Sequence, residues 1–150
     1  MVIQRIQSVY LLIAIILMVV FAFFPAFTFT FGDREFVYGA LEAGKVGVTH
    51  INPLMLTLTI LIAVFALIDI FLFKNLPRQM TFCFATIIIG IAMLIALAIE
   101  IFVIQGRVGI RNVMPHWALL LPVLAIIFLM LAHKAMSRDK KSLRDADRLR

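Results

Sequence analysis

Residues 53–104 read PLMLTLTILIAVFALIDIFLFKNLPRQMTFCFATIIIGIAMLIALAIEIFVI, and this stretch decides the fold. Two apolar runs, Leu54 to Phe73 and about Met80 to Ile104, flank one polar turn, Lys74-Asn75-Leu76-Pro77-Arg78. A helix rises 1.5 Å per residue, so about 20 apolar residues cross a hydrocarbon core of roughly 30 Å. The stretch therefore reads as a transmembrane helical hairpin. Each run carries one acidic residue, Asp69 in the first and Glu100 in the second.

The rest of the chain has the same character. Of its 150 residues 64% are hydrophobic and 15% are charged, against about 25% charged in a typical soluble domain. A globule of this size has too little interior to hide so much apolar surface. A bilayer removes that difficulty by solvating the apolar side chains. The single cysteine, Cys83, excludes an intramolecular disulfide. The net charge of +6 is read segment by segment, because Lys and Arg report sidedness in membrane proteins.

Outward from the hairpin, the expected architecture is an all-α membrane protein with spans at about 6–27, 53–73, 80–104 and 115–132. The first span is expected to be an uncleaved anchor. It is longer than the roughly 7–15 apolar residues of a signal peptide, and Phe23-Phe24-Pro25-Ala26-Phe27 is a poor cleavage site. Asn52-Pro53 marks the start of the second span, since Pro is tolerated at the first helical position. Pro115 is expected to open the fourth span, with Trp117 at interfacial depth and Pro122 bending the helix.

Residues 28–52 form the one long polar segment between spans. Phe27, Phe29 and Phe31 alternate with Thr28 and Thr30, a period of two in β-favouring residues. Gly32-Asp33-Arg34 is a turn signal, and Glu35 to Ala40 reads as a return strand. Gly44 to Ile51, with Val46, Val48 and His50 on one face, supplies a third. A β-hairpin or small sheet is expected here. Lipid cannot satisfy a sheet edge, so this element belongs outside the hydrocarbon. Residues 133–150 read as a charged tail. Leu143, Ala146 and Leu149 are three apart, and Lys141 precedes Asp145 by four, spacings that continue the fourth span as an amphipathic helix.

Four spans put both termini on one side. Arg5, Lys74, Arg78, Lys134, Arg138, Lys140, Lys141, Arg144, Arg148 and Arg150 fall on that side. Arg34, Lys45, Arg107 and Arg111 fall on the other. The positive-inside rule then makes the termini cytoplasmic and the β segment extracytoplasmic.

An acid at membrane depth is costly and is a functional candidate by default. Asp69 lies five residues before Lys74, and Glu100 five before Gln105, so each sits about 7–8 Å from opposite boundaries. They are then roughly 15 Å apart in depth in a core of about 30 Å, too far for a paired carboxylate site. Arg5, Lys74 or Arg78 could neutralise Asp69, and Arg107, Arg111, His50 or His116 could neutralise Glu100. Helical spacing groups Asp69 with Thr59, Ile62 and Ala66, and Glu100 with Ala85, Ala92 and Ala96. Small residues mark helix contacts in membranes. In the fourth span Ala118, Pro122, Ala125, Leu129 and Ala132 share one side. His50, His116 and Trp117 form an expected outer-face polar cluster. Two His and one Glu are Zn²⁺ ligand types, but no paired spacing supports a metal site, and none is expected. There is no glycine-rich phosphate loop, nucleophile elbow, His-Glu-x-x-His motif or thiol pair, so neither a cofactor nor enzyme activity is expected. The tail holds Lys134, Arg138, Lys140, Lys141, Arg144, Arg148 and Arg150. They are interleaved with Asp139, Asp145 and Asp147, a pattern that suits a lipid surface or protein partner better than specific nucleic acid.

Ile3-Gln4-Arg5-Ile6-Gln7-Ser8-Val9-Tyr10-Leu11-Leu12, Leu72-Phe73-Lys74-Asn75 and Arg144-Asp145-Ala146-Asp147-Arg148-Leu149-Arg150 resemble a small four-span membrane family of Bacteroidota, catalogued as a domain of unknown function. The resemblance implies a bacterial inner-membrane location and supplies no activity. The layout is also similar to that of claudin-type proteins, an analogy of architecture that does not license function. The expected role is a non-catalytic accessory or scaffold subunit, partnered by the bilayer and by other inner-membrane proteins or further copies of itself. Two alternatives stand beside it. One is a small oligomeric transporter or channel using Asp69 or Glu100. The other is a lipid-binding protein with its site under the β cap, between Trp117, His116 and Phe27–Phe31.

Overall fold

The computed structural model describes residues 2–45 and 47–148, and the side chains of residues 2–5, 48, 49, 111, 147 and 148 are outside that description. Helix α1 (Val2–Phe23) leads into strands β1 (Phe27–Phe31), β2 (Arg34–Tyr38), β3 (Ala43–Lys45) and β4 (Val48–His50). The hairpin of α2 (Pro53–Phe71) and α3 (Leu76–Gln105) follows, joined by a 3-10 turn at Leu72–Lys74. Strand β5 (Ile110–Pro115), a 3-10 turn at Trp117–Leu119 and helix α4 (Leu120–Arg148) complete the described chain. Four segments are long and apolar enough to cross a membrane: Ile6–Phe23, Pro53–Lys74, Leu76–Gln105 and Trp117–Ala146. Only 22% to 44% of their residues are buried inside the protein. Most of their apolar side chains therefore face outward, which water would penalise and lipid does not.

The helix ends follow local chemistry. At α2, the Asn52 side chain accepts from the Met55 amide at 3.4 Å and Pro53 occupies the first turn, as the Asn-Pro pair predicts. At α1 the helix stops at Phe23, four residues short of the expected limit, because Pro25 cannot continue it and Phe27 joins a strand. The Ala26 amide already donates to the Tyr38 carbonyl at 2.7 Å.

The sheet is larger than expected. Its order is β4-β3-β2-β1-β5, antiparallel throughout. The segment after α1 contributes four strands instead of two or three, since residues 43–50 turn back on themselves around Gly47, whose φ is +91°. Val46, expected on the strand face with Val48 and His50, lies outside the described residues. The fifth strand comes from residues 110–115, which had read as a polar loop and a helix start. Pro115 ends β5 and pairs with Phe27, and α4 begins only at Leu120. Between the pairs Thr28–Met114 and Thr30–Arg111, β5 has two residues where β1 has one. This bulge places Asn112 at φ +51°, a conformation Asn tolerates better than most residues. The bulge breaks the alternation that would have marked β5 as a strand. The β1–β2 register brings aromatic rings face to face: Phe27 stacks on Tyr38 at 4.7 Å and Phe29 on Phe36 at 5.3 Å.

In the bundle each helix turns one stripe inward. Leu11, Ala14, Met18 and Phe21 of α1 meet Ala125, Leu129, Ala132 and Met136 of α4 in one core. Met55, Thr59, Ile62, Ala66 and Asp69 form the buried face of α2. The small-residue face expected on α4 is buried in full, Pro122 included. Pro122 sits in the first turn of α4, where its missing amide costs little, so the bend it was expected to cause mid-span is not needed. On α3 the buried stripe is Gln79, Cys83, Thr86, Ile87, Gly90, Met93, Leu97 and Ile104. The expected stripe of Ala85, Ala92, Ala96 and Glu100 lies at its margin or outside it.

Gly90 sets how closely α3 and α4 approach. A Cβ at this position would lie 2.9 Å from Cγ1 of Ile126. Gly90→Leu is expected to cost about 1–3 kcal/mol through overpacking, read as a lower midpoint of thermal unfolding in detergent. Ala92→Leu, at an exposed position on the same helix, should leave the midpoint nearly unchanged.

Candidate functional site

The two intramembrane acids sit in different settings. Asp69 occupies the inward face of α2 near the turn end of the bundle and is fully buried. Neither of its carboxylate oxygens has a hydrogen-bond partner among the described residues. Its expected partners Lys74 and Arg78 are exposed. They belong to the turn, which lies outside the bundle, whereas Asp69 points to the bundle axis. The side chain of Arg5, the third candidate, is outside the described residues. The inward position that follows the turn is taken by Gln79, whose amide Nε2 donates to the Asp69 backbone carbonyl at 3.1 Å. Cys83, one turn further along α3, places its thiol beside the carboxylate. A thiol has one proton, and this one is directed to the Leu129 carbonyl at 3.5 Å. The cluster therefore joins α2, α3 and α4 through polar groups while leaving the carboxylate without a donor.

A second polar tie closes the same end. Gln7 of α1, buried like Asp69, donates from Nε2 to Asp139 Oδ2 of α4. Nothing in the sequence pattern pointed to this pair, because the two residues are 132 positions apart. The apolar phase of α1 does hint at Gln7, which falls in line with Leu11, Ala14 and Met18. Thr59 and Thr86, also buried, satisfy their hydroxyls by donating to Met55 and Phe82 carbonyls on their own helices.

Glu100 lies half-buried at the sheet end. Arg107, His50 and His116 are exposed, and the side chain of Arg111 is outside the described residues. The neighbour found is the Tyr38 hydroxyl, which lies near both Glu100 and Asn52. Asn52 caps α2 with its side-chain oxygen, so sheet, α2 and α3 come together at these three residues. Burial pushes the Tyr38 hydroxyl above its ordinary value. The hydrogen bond from Asn52 opposes this shift, and the negative charge of Glu100 adds to it.

The acids are further apart than their sequence depths suggested. Asp69 lies beside Cys83, and 17 residues of α3 separate Cys83 from Glu100. At 1.5 Å per residue that is about 25 Å, against the roughly 15 Å expected. The difference arises because α3 is 30 residues long, or about 45 Å, and overshoots a 30 Å core. The expected outer-face cluster is also dispersed. His50 is on β4 and His116 follows β5, at opposite edges of the five-stranded sheet, about 19 Å apart at 4.8 Å per strand. Trp117 packs on Phe24, ring centroids 4.9 Å apart. Under the sheet, Phe27 is fully buried against Tyr38, whereas Phe31, His116 and Trp117, also of the expected lipid site, are exposed. Among the described residues no three His, Cys, Asp or Glu side chains are grouped to hold a metal ion.

The expected basic tail is helical and exposed. Lys134, Arg138, Lys140, Lys141 and Arg144 all reach outward from α4. The side chain of Arg148, and Leu149 and Arg150 altogether, lie outside the described residues.

A family model described as a domain of unknown function (DUF4293) matches residues 3–149. The chain belongs to the DUF4293 family. No curated protein matches it. The DUF4293 match spans all four helices and five strands apart from the first residue of α1.

Two outcomes follow from these settings. A buried polar group without a partner costs about 1–3 kcal/mol. Asp69→Leu is therefore expected to raise stability by that order in detergent unfolding, with Asp69→Asn between it and the wild type. An ion pair at this position would give the opposite sign. At the sheet end the protonated Tyr38 hydroxyl is the form the fold favours. Its contribution is full below pH 10 and is lost as the pH rises through the raised value. Tyr38→Phe should lower stability at pH 8 and flatten this alkaline loss, as followed by unfolding midpoints across pH 8 to 11.

Proposed function

We propose that the protein is a non-catalytic accessory or scaffold subunit of a larger assembly in a bacterial inner membrane. In this reading both termini face the cytoplasm and the sheet lies outside, in a claudin-like layout. The observation that carries it is the length and bracing of α4. At 29 residues this helix is about 43 Å long, so it exceeds a 30 Å core by more than 10 Å. The Gln7–Asp139 tie fixes its direction as it leaves the bundle. Lys140, Lys141 and Arg144 are exposed on this projecting part. A rigid, charged extension is suited to meeting a partner at the membrane surface. The Gln7–Asp139 and Gln79–Asp69 ties support the same reading, since they brace helices against one another.

Crosslinking in cells followed by mild-detergent purification tests this. A membrane partner should be recovered in stoichiometric amount. The triple substitution Lys140→Glu, Lys141→Glu and Arg144→Glu should lower its recovery about tenfold or more, while the unfolding midpoint of the subunit stays close to wild type. A clean, partner-free monomer from crosslinked wild-type cells would overturn the proposal.

One observation favours a second reading, ion or proton handling, and it is the unpartnered Asp69 carboxylate at membrane depth. Proteoliposomes separate the two. Under the accessory reading Asp69→Asn leaves ion flux at the level of empty vesicles, as the wild type does. Flux in the wild type that Asp69→Asn abolishes would transfer the assignment to transport.

A further inference from the structure

A groove of about 580 Å³ runs between α3 and α4 on the outer surface of the bundle. Its walls are apolar: Phe84 and Ile87 from α3, Ile127 and Met130 from α4. Its rim at the tail end is cationic or polar, formed by His133 and Lys134. The Phe84 and His133 rings are 6.1 Å apart, which narrows the groove at its tail end. Beyond the rim the charge continues in line. Met130, Lys134, Ser137, Lys141 and Arg144 fall on one stripe of α4, by the spacing of three and four that sets a helix face. Lys134, Lys141 and Arg144 are exposed along it. Of the acids beside this stripe, Asp139 is turned towards Gln7 of α1, and Asp145 lies beyond it, next to Arg144 and four residues after Lys141.

We propose that this groove is a binding site for an anionic diacyl phospholipid. One acyl chain lies along Phe84, Ile87, Ile127 and Met130, and the phosphate sits between Lys134 and Lys141. The charge arrangement selects this occupant. An apolar slot at bilayer depth that opens onto a row of cations matches an acyl chain joined to a negative headgroup. A neutral lipid would use the slot and leave the cations unanswered. A lysine near the headgroups reaches them by extending its stem along apolar surface. The inference shares Lys141 with the accessory-subunit reading, and its test is placed at Lys134 and Met130, which that reading does not use.

The test uses the full chain in nanodiscs of equal parts phosphatidylglycerol and phosphatidylcholine, the same in both leaflets, so the result does not depend on sidedness. Native mass spectrometry of the released protein should show phosphatidylglycerol retained over phosphatidylcholine by about fivefold or more, the effect of one cation at an anionic surface. Lys134→Gln should reduce that preference about fivefold. Met130→Trp, which fills the slot, should reduce retention of both lipids. Soluble glycerol phosphate at millimolar concentration should not displace the lipid. Equal retention of the two lipids, no change with Lys134→Gln, or displacement by glycerol phosphate would each overturn the site. An Ile127→Cys variant that forms a disulfide-linked dimer across the groove would also overturn it, by showing that a second copy is the occupant.

Discussion

Hydrocarbon offers a peptide group no hydrogen bond, and every feature of this molecule is arranged around that constraint. Four helices satisfy their own backbones through the apolar zone. Backbone that is not helical is collected at one end, where five strands pair side by side. The connections into the sheet are pinned as well. The Ala26 amide is held by the Tyr38 carbonyl, the Asn52 amide by the Ala40 carbonyl, and the His116 amide by the Ala26 carbonyl. The pairing of β5 with β1 matters most. It ties the α3–α4 connection to the end of α1, so both halves of the bundle share one cap.

The side chains follow the same logic with less completeness. Threonine hydroxyls in the helices return to carbonyls one turn back, and Gln7, Gln79 and Asp139 find one another or a backbone carbonyl across the bundle. Asp69 is the exception. It is held between helices, next to a thiol whose proton goes elsewhere. A buried polar group left unsatisfied persists in a fold only if something compensates its cost. At membrane depth that compensation is either tight packing of the surrounding helices or a use for the carboxylate. Glu100 is the contrasting case, a half-buried acid with the neutral phenol of Tyr38 beside it.

The two ends of the bundle are therefore built differently. The sheet end is aromatic and cross-braced: Phe27 on Tyr38, Phe29 on Phe36, Phe24 on Trp117. The turn end is polar inside and cationic outside, with α4 continuing past its neighbours. Close approach of α3 and α4 at Gly90 leaves a groove on their outer side, where the cations of α4 begin. Rigid cap, braced exit helix and charged rim all place the adaptable surface of the protein at one boundary.

Much of this was determined by the sequence alone. Hydrophobic run lengths set the four helices, because crossing the bilayer needs a fixed number of residues. Asn52-Pro53 set the start of α2, and the Phe27–Phe31 alternation set the first strand, since both signals are local. The inward stripes of α2 and α4 were legible from Asp69, Ala66 and Ile62 and from Ala118, Ala125 and Ala132, because helical phase is fixed by spacing. What the tertiary structure decided depended on partners distant in sequence. Residues 110–115 became a strand because β1 had a free edge, and the bulge at Asn112 hid their alternation. Glu100 meets Tyr38 because the return strand brings that hydroxyl near the end of α3. The stripe of α3 is set by its neighbours rather than by its alanines: Gln79 and Cys83 face Asp69, and Gly90 admits Ile126 of α4. The setting of Asp69, without the cation that proximity in sequence had suggested, follows from direction: the turn that carries Lys74 and Arg78 faces outward, and the carboxylate faces in.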